Sequence, residues 1–153
     1  MIIHVRKVSP EGSHFSGDEP SEVMGLEHDR FVRAAGELHY TLFAVVVSGR
    51  LLVSGTAEIR IRARCSRCGE SFSTIVREPS FLRMYSLAGG VQEVDVTPAL
   101  REALVLRIPI YLLCREDCRG LCSRCGANLN RERCTCAPEE VGNRWDVLDK
   151  LRL

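Results

Sequence analysis

The sequence predicts an α+β fold, mainly antiparallel β with two short helices and a cysteine-rich C-terminal segment. Three observations predict it. Apolar and polar residues alternate in strand fashion between Leu38 and Arg77. The period turns helical after Thr97-Pro98. Eight cysteines in 153 residues fall in short groups: Cys65-x2-Cys68, then Cys114-x3-Cys118-x3-Cys122-x2-Cys125, then Cys134-x-Cys136. Eight thiolates make two sets of four, and four thiolates complete one tetrahedral zinc site. The C-terminal segment is therefore read as zinc-binding, held by metal rather than by a large core.

The elements follow in order. Residues 1–8, with Ile3, Val5 and Val8, predict an edge strand carrying Arg6 and Lys7. Residues 9–37 are acidic and broken by Pro10, Gly12, Gly17, Pro20 and Gly25, which reads as a long loop with one helical turn near 29–35. Leu38–Val47 is a strand, Ser48-Gly49 a tight turn, and Arg50–Cys65 the returning strand with a bulge at Gly55. Along that strand Ala57, Ile59, Ile61 and Ala63 face inward, while Glu58, Arg60, Arg62 and Arg64 face outward. Ser71–Arg77 runs back, Pro79 interrupts, and Phe81–Leu87 forms a further strand. Gly89-Gly90 is a flexible turn before a short extended stretch at 91–96. Thr97 as N-cap and Pro98 at the first helical position open a helix. Its apolar stripe is Leu100, Ala103, Leu104 and Leu106, and Pro109 stops it. A terminal helix is expected from Asn143 to Leu153, with Trp145, Leu148 and Leu151 on its apolar face. Two parts result: residues 1–113, an antiparallel β domain with a helix near 97–107, and residues 114–153, a cysteine-rich zinc module and terminal helix packed on the first part.

The totals bound the compartment. Hydrophobic content of 45% and charged content of 27% are those of a soluble globular protein. Met1-Ile-Ile-His-Val-Arg-Lys7 has no apolar core of an export signal, and no stretch approaches the roughly 20 apolar residues of a membrane span. A reducing, cytoplasmic setting with metal-bound thiolates is expected over a disulfide framework. No membrane partner and no small-molecule substrate are expected.

Cys65–Cys68 followed by Gly69, and Cys122–Cys125 followed by Gly126, have the form of zinc knuckles. Cys122, Cys125, Cys134 and Cys136 can close one site locally, leaving Cys114 and Cys118 to join Cys65 and Cys68; crossed pairings stay open, as does iron in place of zinc. Two zinc ions, each on four sulfurs, leave no coordination position for water or substrate, so both sites are read as structural. A redox pair is disfavoured because Cys65–Cys68 lies between two strand-like runs rather than opening a helix. His4, His14, His28 and His39 are spaced with no acidic or cysteine partner, and no phosphate loop or nucleophile motif is present. The chain is not expected to be an enzyme.

Of 21 basic residues only Lys7 and Lys150 are lysine. Net charge is +1, and two zinc ions on eight thiolates take it to about −3, so nucleic-acid binding requires a local patch. Arg60, Arg62 and Arg64 step along one strand face, Arg67 extends that line, and Arg115 and Arg119 flank other cysteines. Joined by the first zinc site, these arginines suit RNA phosphates; the other reading is that they offset the charge of the zinc–thiolate centres.

Several strings together resemble the YceD family. They are Arg64-Cys65-Ser66-Arg67-Cys68 after an alternating strand and the Thr97-Pro98 helix ending in Ile108-Pro109-Ile110. The run from Leu113 to Asn130 and then Cys134-Thr135-Cys136 complete the set. The resemblance spans about residue 36 to the end. It implies a non-enzymatic bacterial or plastid factor needed for accumulation of large-subunit (23S) ribosomal RNA, through rRNA processing or ribosome assembly. Its partner would be ribosomal RNA or the pre-ribosomal large subunit. The alternative is a zinc-stapled protein-interaction module that docks on a ribosomal protein or processing enzyme through the acidic 11–37 loop and the terminal helix.

Overall fold

A computed structural model describes residues 1–136. Its centre is the long hairpin of β3 (Val32–Val47) and β4 (Arg50–Arg64). The turn between them is two residues, Ser48 at φ 48° and Gly49 at φ 72°. Both values are positive, as a type I′ turn demands, and the turn matches the twist of the flanking strands. β2 (Ser13–Glu19) pairs with β3, and β5 (Ser71–Ser86) pairs with β4, giving an antiparallel four-stranded sheet in the order β2-β3-β4-β5. A second, two-stranded sheet joins β1 (Ile2–His4) to β6 (Glu93–Asp95), with Ile3 opposite Val94. One α-helix, α1 (Thr97–Arg107), packs against β5, β4 and a 3-10 turn at Ser21–Met24.

The alternation of β4 is realised as expected. Ala57, Ile59, Ile61 and Ala63 are buried, and Arg60, Arg62 and Arg64 are exposed on the other face. The buried face meets Leu38, Leu42 and Ala44 of β3, Val76 and Phe81 of β5, and Leu100, Ala103 and Leu104 of α1. Each fully buried aliphatic side chain contributes about 1.5–3 kcal/mol, so this cluster is the main apolar support of the β-rich part.

Several sequence expectations are corrected. The stretch 9–37 is not one long loop, since β2, the 3-10 turn and the start of β3 lie within it. The weak strand propensity of Ser13-His14-Phe15-Ser16-Gly17-Asp18-Glu19 is overcome because β2 completes the backbone ladder of β3. There is no helical turn at 29–35. Instead the Asp29 carboxylate accepts the N–H groups of Phe31 (2.7 Å) and Val32 (2.8 Å), and the Phe31 carbonyl accepts from Arg64 N–H (2.9 Å), drawing the chain into the sheet. The first strand is only Ile2–His4, followed by a 3-10 turn at Val5–Lys7.

Pro79 does not divide β5. It lies on the free-edge strand where the β4–β5 register shifts, Gly55 facing Phe81 and Ala57 facing Glu78, so no ladder bond is lost to it. Gly55, at φ 150°, is the bulge partner; a Cβ there would collide with the Thr41 carbonyl oxygen. Val96, not Thr97, occupies the helix N-cap, and the Asp95 carboxylate receives Thr97 N–H at 2.9 Å. Leu106 points to solvent at 74% exposure, so the apolar stripe of α1 is narrower than expected. The expected terminal helix, with Trp145, Leu148 and Leu151, lies outside the described residues; among the described residues α1 is the single α-helix.

The chain divides into two compact units between Cys118 and Arg119 rather than between 113 and 114. Cys114 and Cys118 belong with the first unit because their sulfurs meet those of Cys65 and Cys68.

Glu78 is the one buried charged residue among the described residues. Arg107 of α1 grips it at 2.7 and 3.2 Å, and Ser80 N–H donates at 2.9 Å. The guanidinium beside it holds the carboxyl below its ordinary value of 4.5. A lowered folded value means that the contribution is full above the unfolded value and is lost as pH falls through the folded one. Thermal melts should show wild type more stable than Glu78→Gln at neutral pH, with the gap closing as pH falls below 4.5. A pH-independent gap would contradict this role. In the core, Leu38→Ala should cost about 2–5 kcal/mol by denaturant unfolding, as expected for a fully buried leucine.

Candidate functional site

Two sulfur clusters are assembled by three tight turns. In the first unit, Cys65 ends the β4 run and Cys68 follows in a turn closed by Gly69 at φ 71°. Gly69 N–H donates to the Cys65 carbonyl (2.9 Å), and Cys65 N–H donates to the Glu70 carbonyl (2.8 Å). The second unit repeats this pattern at Cys122–Cys125. Gly126, at φ 75°, donates to the Cys122 carbonyl (2.9 Å), and Cys122 N–H donates to Ala127 (2.8 Å). Glycine serves at both places because the chain must turn through positive φ immediately after the second sulfur. A third turn, with Cys118 N–H on the Arg115 carbonyl (3.1 Å), presents Cys114 and Cys118.

The sulfurs of Cys65, Cys68, Cys114 and Cys118 all lie within 4.8 Å of one another, as do those of Cys122, Cys125, Cys134 and Cys136. This is the partition that local closure of the C-terminal set implies. The Sγ separations are 3.7 Å for Cys65–Cys118 and 3.8 Å for Cys68–Cys114. A tetrahedron with 2.3 Å zinc–sulfur bonds has edges of about 3.8 Å, so these two edges of the first cluster match those of a zinc–thiolate tetrahedron. In the second cluster Cys125–Cys134 and Cys122–Cys134 are 3.5 and 3.3 Å apart. All eight thiols are free, and these distances are far from the roughly 2.05 Å of a disulfide.

Electrostatics agree with the fit. Burial pushes the Cys65 thiol up, but N–H groups of Cys114, Cys68 and Arg67 aimed at its sulfur outweigh it and bring the thiol down to about 6. Backbone N–H groups of Cys125 and Arg124 likewise bring Cys122 down to about 6. Cys114 is pushed up to about 12 by burial and by hydrogen bonds among the neighbouring thiols. Cys136 is pushed up to about 12 by its hydrogen bonds with Cys134 and Cys125. Each cluster thus sets one easily ionised thiol, Cys65 or Cys122, beside thiols that resist ionisation, Cys68 and Cys114 in the first and Cys134 and Cys136 in the second. A dication supplies the counter-charge that lets all four ionise.

The sequence-predicted arginines fall into three groups. Arg60, Arg62 and Arg64 share the outer face of β4, with no carboxylate in ion-pair range among the described residues. Arg67, itself exposed, reaches over the 114–118 turn, and its Nη1 donates to the Cys118 carbonyl at 2.9 Å and to the Glu116 carbonyl at 3.5 Å, bracing the first cluster. Arg115 pairs with Asp117 at 3.3 Å. Arg119 belongs to the second unit, where its N–H donates to Asn130 Oδ1 at 2.8 Å.

Two features of this sheet face escaped the sequence reading. Arg33 of β3 stands directly opposite Arg62, and Arg30, Arg33, Arg62 and Arg64 line a groove of about 270 Å³. The signal was present as Arg30-Phe31-Val32-Arg33, but it lay inside a stretch read as acidic loop. Across the middle of the same face, Asp18, His39, Glu58 and Arg77 stand in one row over four strands. His39 Nδ1 contacts Asp18, which raises the imidazole above its ordinary value, and Arg77 binds Glu58 at 2.7 Å. His39 therefore has an acidic partner, contrary to expectation, brought to it by β2 pairing. His4 likewise meets Glu93 at 3.0 Å.

Comparison with known proteins bears on the C-terminal part. Residues 85–152 match the family model described as large ribosomal RNA subunit accumulation protein YceD. Two curated relatives carry the name large ribosomal RNA subunit accumulation protein YCED homolog 1, chloroplastic. The one from Arabidopsis thaliana is 39% identical over 62 residues, covering 40% of this chain and 19% of the relative. The one from Zea mays is 41% identical over 51 residues, covering 33% of this chain and 17% of the relative. The matched stretch thus spans under a fifth of either relative. No solved structure matches the chain. The matched segment holds the six cysteines from Cys114 to Cys136. Cys65, Cys68 and the arginine face of β4 precede it, so the match is narrower than the span from residue 36 that the motifs suggested. Among the described residues no helix is long and apolar enough to cross a membrane.

The units differ in what holds them. The first has the buried apolar cluster; in the second, the apolar residues from 119 to 136 amount to little beyond Leu121 and Leu129, and Leu121 is 47% exposed. A strong zinc chelator should therefore abolish amide-exchange protection in 119–136 while strand amides of β3, β4 and β5 stay protected. Cys122→Ser should lower the bound metal from about two ions to about one. Protection in 119–136 that survives complete metal removal would contradict this.

Proposed function

We propose that the chain is a non-enzymatic, zinc-stabilised factor that supports accumulation of large-subunit ribosomal RNA. It would act in rRNA processing or ribosome assembly by binding RNA or an assembly intermediate, in the cytoplasm. The family description and the names of the relatives support the RNA class. The observation that carries the binding mode is the arginine face: Arg60, Arg62 and Arg64 exposed on one strand, Arg33 opposite Arg62, and no carboxylate to neutralise the three on β4 among the described residues. Like charges set opposite each other across strands are unfavourable unless an anion joins them. Guanidinium groups bind phosphate oxygens in bidentate fashion, which suits this face to a polyphosphate backbone. It is Arg67 that reaches the first cluster's turn, donating to the Cys118 carbonyl.

Both tetrads, each filled by four sulfurs, serve as zinc staples in this reading and take no part in chemistry. Arg67 supports the first staple rather than the RNA. Arg115 and Arg119 remain contacts to be tested alongside the β4 arginines.

The test is binding of labelled 23S rRNA fragments by the zinc-loaded chain and by Arg60→Glu/Arg62→Glu/Arg64→Glu. The triple variant should keep its melting profile, lose at least about tenfold in affinity, and show a log K against log salt slope shallower by roughly two. Unchanged affinity and slope in a folded triple variant would remove the arginine face from the account.

A further inference from the structure

Phe31 is the aromatic residue that the sequence reading did not place beside the arginines. The residue is 60% exposed although its backbone is fixed. The backbone is fixed from both sides. Asp29 accepts Phe31 N–H at 2.7 Å, and Arg64 N–H donates to the Phe31 carbonyl at 2.9 Å. The N–H groups of Phe31 and Val32 also hold the Asp29 carboxyl below its ordinary range, so the turn is set at neutral pH. The ring therefore stands at the entrance to β3 without having been recruited into the core. Arg30, Arg33, Arg62 and Arg64 surround it in the groove of about 270 Å³, and Ser71 completes the rim.

An exposed ring held by a rigid turn among guanidinium groups is the composition of a nucleotide platform. The ring offers a π face to a base, and the arginines offer forks to the phosphates on either side. A duplex keeps its bases stacked inside and presents only phosphates to such a site. A single strand presents both. Resting on the RNA reading above, we propose that this groove is a single-stranded RNA site, with an unstacked base on Phe31 and flanking phosphates on Arg30, Arg33, Arg62 and Arg64. The chain accordingly prefers looped or unpaired RNA to helices of the same sequence.

The experiment compares a labelled single-stranded RNA oligonucleotide with its blunt duplex, bound by the zinc-loaded full chain. The proteins are wild type, Phe31→Ala, Phe31→Tyr and the triple arginine variant. Wild type should bind the single strand more tightly than the duplex. Phe31→Ala should lose about 5- to 100-fold for the single strand and change little for the duplex, and Phe31→Tyr should restore binding. Because the ring is exposed, the Phe31→Ala melting profile should match wild type. Single-strand affinity of Phe31→Ala equal to wild type, or equal losses for single strand and duplex, would overturn the platform. If the triple arginine variant still loses affinity, that failure is confined to Phe31. If the triple variant also binds as wild type, the arginine face itself fails.

Discussion

Convergence of sulfurs from distant parts of the chain is the constraint on which the rest depends. Cys65 and Cys118 are 53 residues apart, and Cys68 and Cys114 are 46 apart, yet each pair is within 4 Å. Bringing them together ties the end of β4 to the stretch that leaves α1. It orders the 114–118 turn, which has little apolar surface of its own. Closing so long a loop is entropically costly, and four coordinate bonds to one dication are the natural source of the offsetting free energy. The second cluster solves a shorter version of the same problem, since Cys122 and Cys134 are 12 residues apart.

That arrangement separates two jobs. Apolar burial holds the sheet, α1 and the two-stranded β1–β6 pair. The two sulfur clusters stand at the turns that a chain rich in arginine and cysteine cannot bury, where a metal ion on four sulfurs would hold them. The separation leaves the outer face of β3 and β4 uncommitted. Arg33, Arg60, Arg62 and Arg64 are carried there by strand alternation alone, and the bulge between Ala34 and Leu38 opens β3 opposite Arg60. Arg67, one turn further, is spent on the Cys118 carbonyl.

Much of this was legible before any coordinates. The inward set Ala57, Ile59, Ile61 and Ala63, the Ser48-Gly49 turn and the Gly55 bulge follow from period and turn chemistry, and spacing pointed to a local set of Cys122, Cys125, Cys134 and Cys136 while leaving crossed pairings open. What was hidden depended on partners distant in sequence. β2 is a strand because β3 offers it a ladder, not because Ser13–Glu19 favours extension. β5 continues through Pro79 because that residue sits at a register shift on a free edge, which no local rule reveals. Phe31 could not be placed because the residue that fixes it is Arg64, 33 positions later in the chain. The helix cap moved by one residue because Asp95 competes with Thr97 for the same role.

X-ray absorption at the zinc edge on the protein as purified tests the central claim most directly. Two zinc ions per chain, each with a shell of four sulfurs near 2.3 Å and no lighter scatterer, is the expected result. A shell containing nitrogen or oxygen, or a metal-free folded protein whose thiols are joined as disulfides, would contradict it.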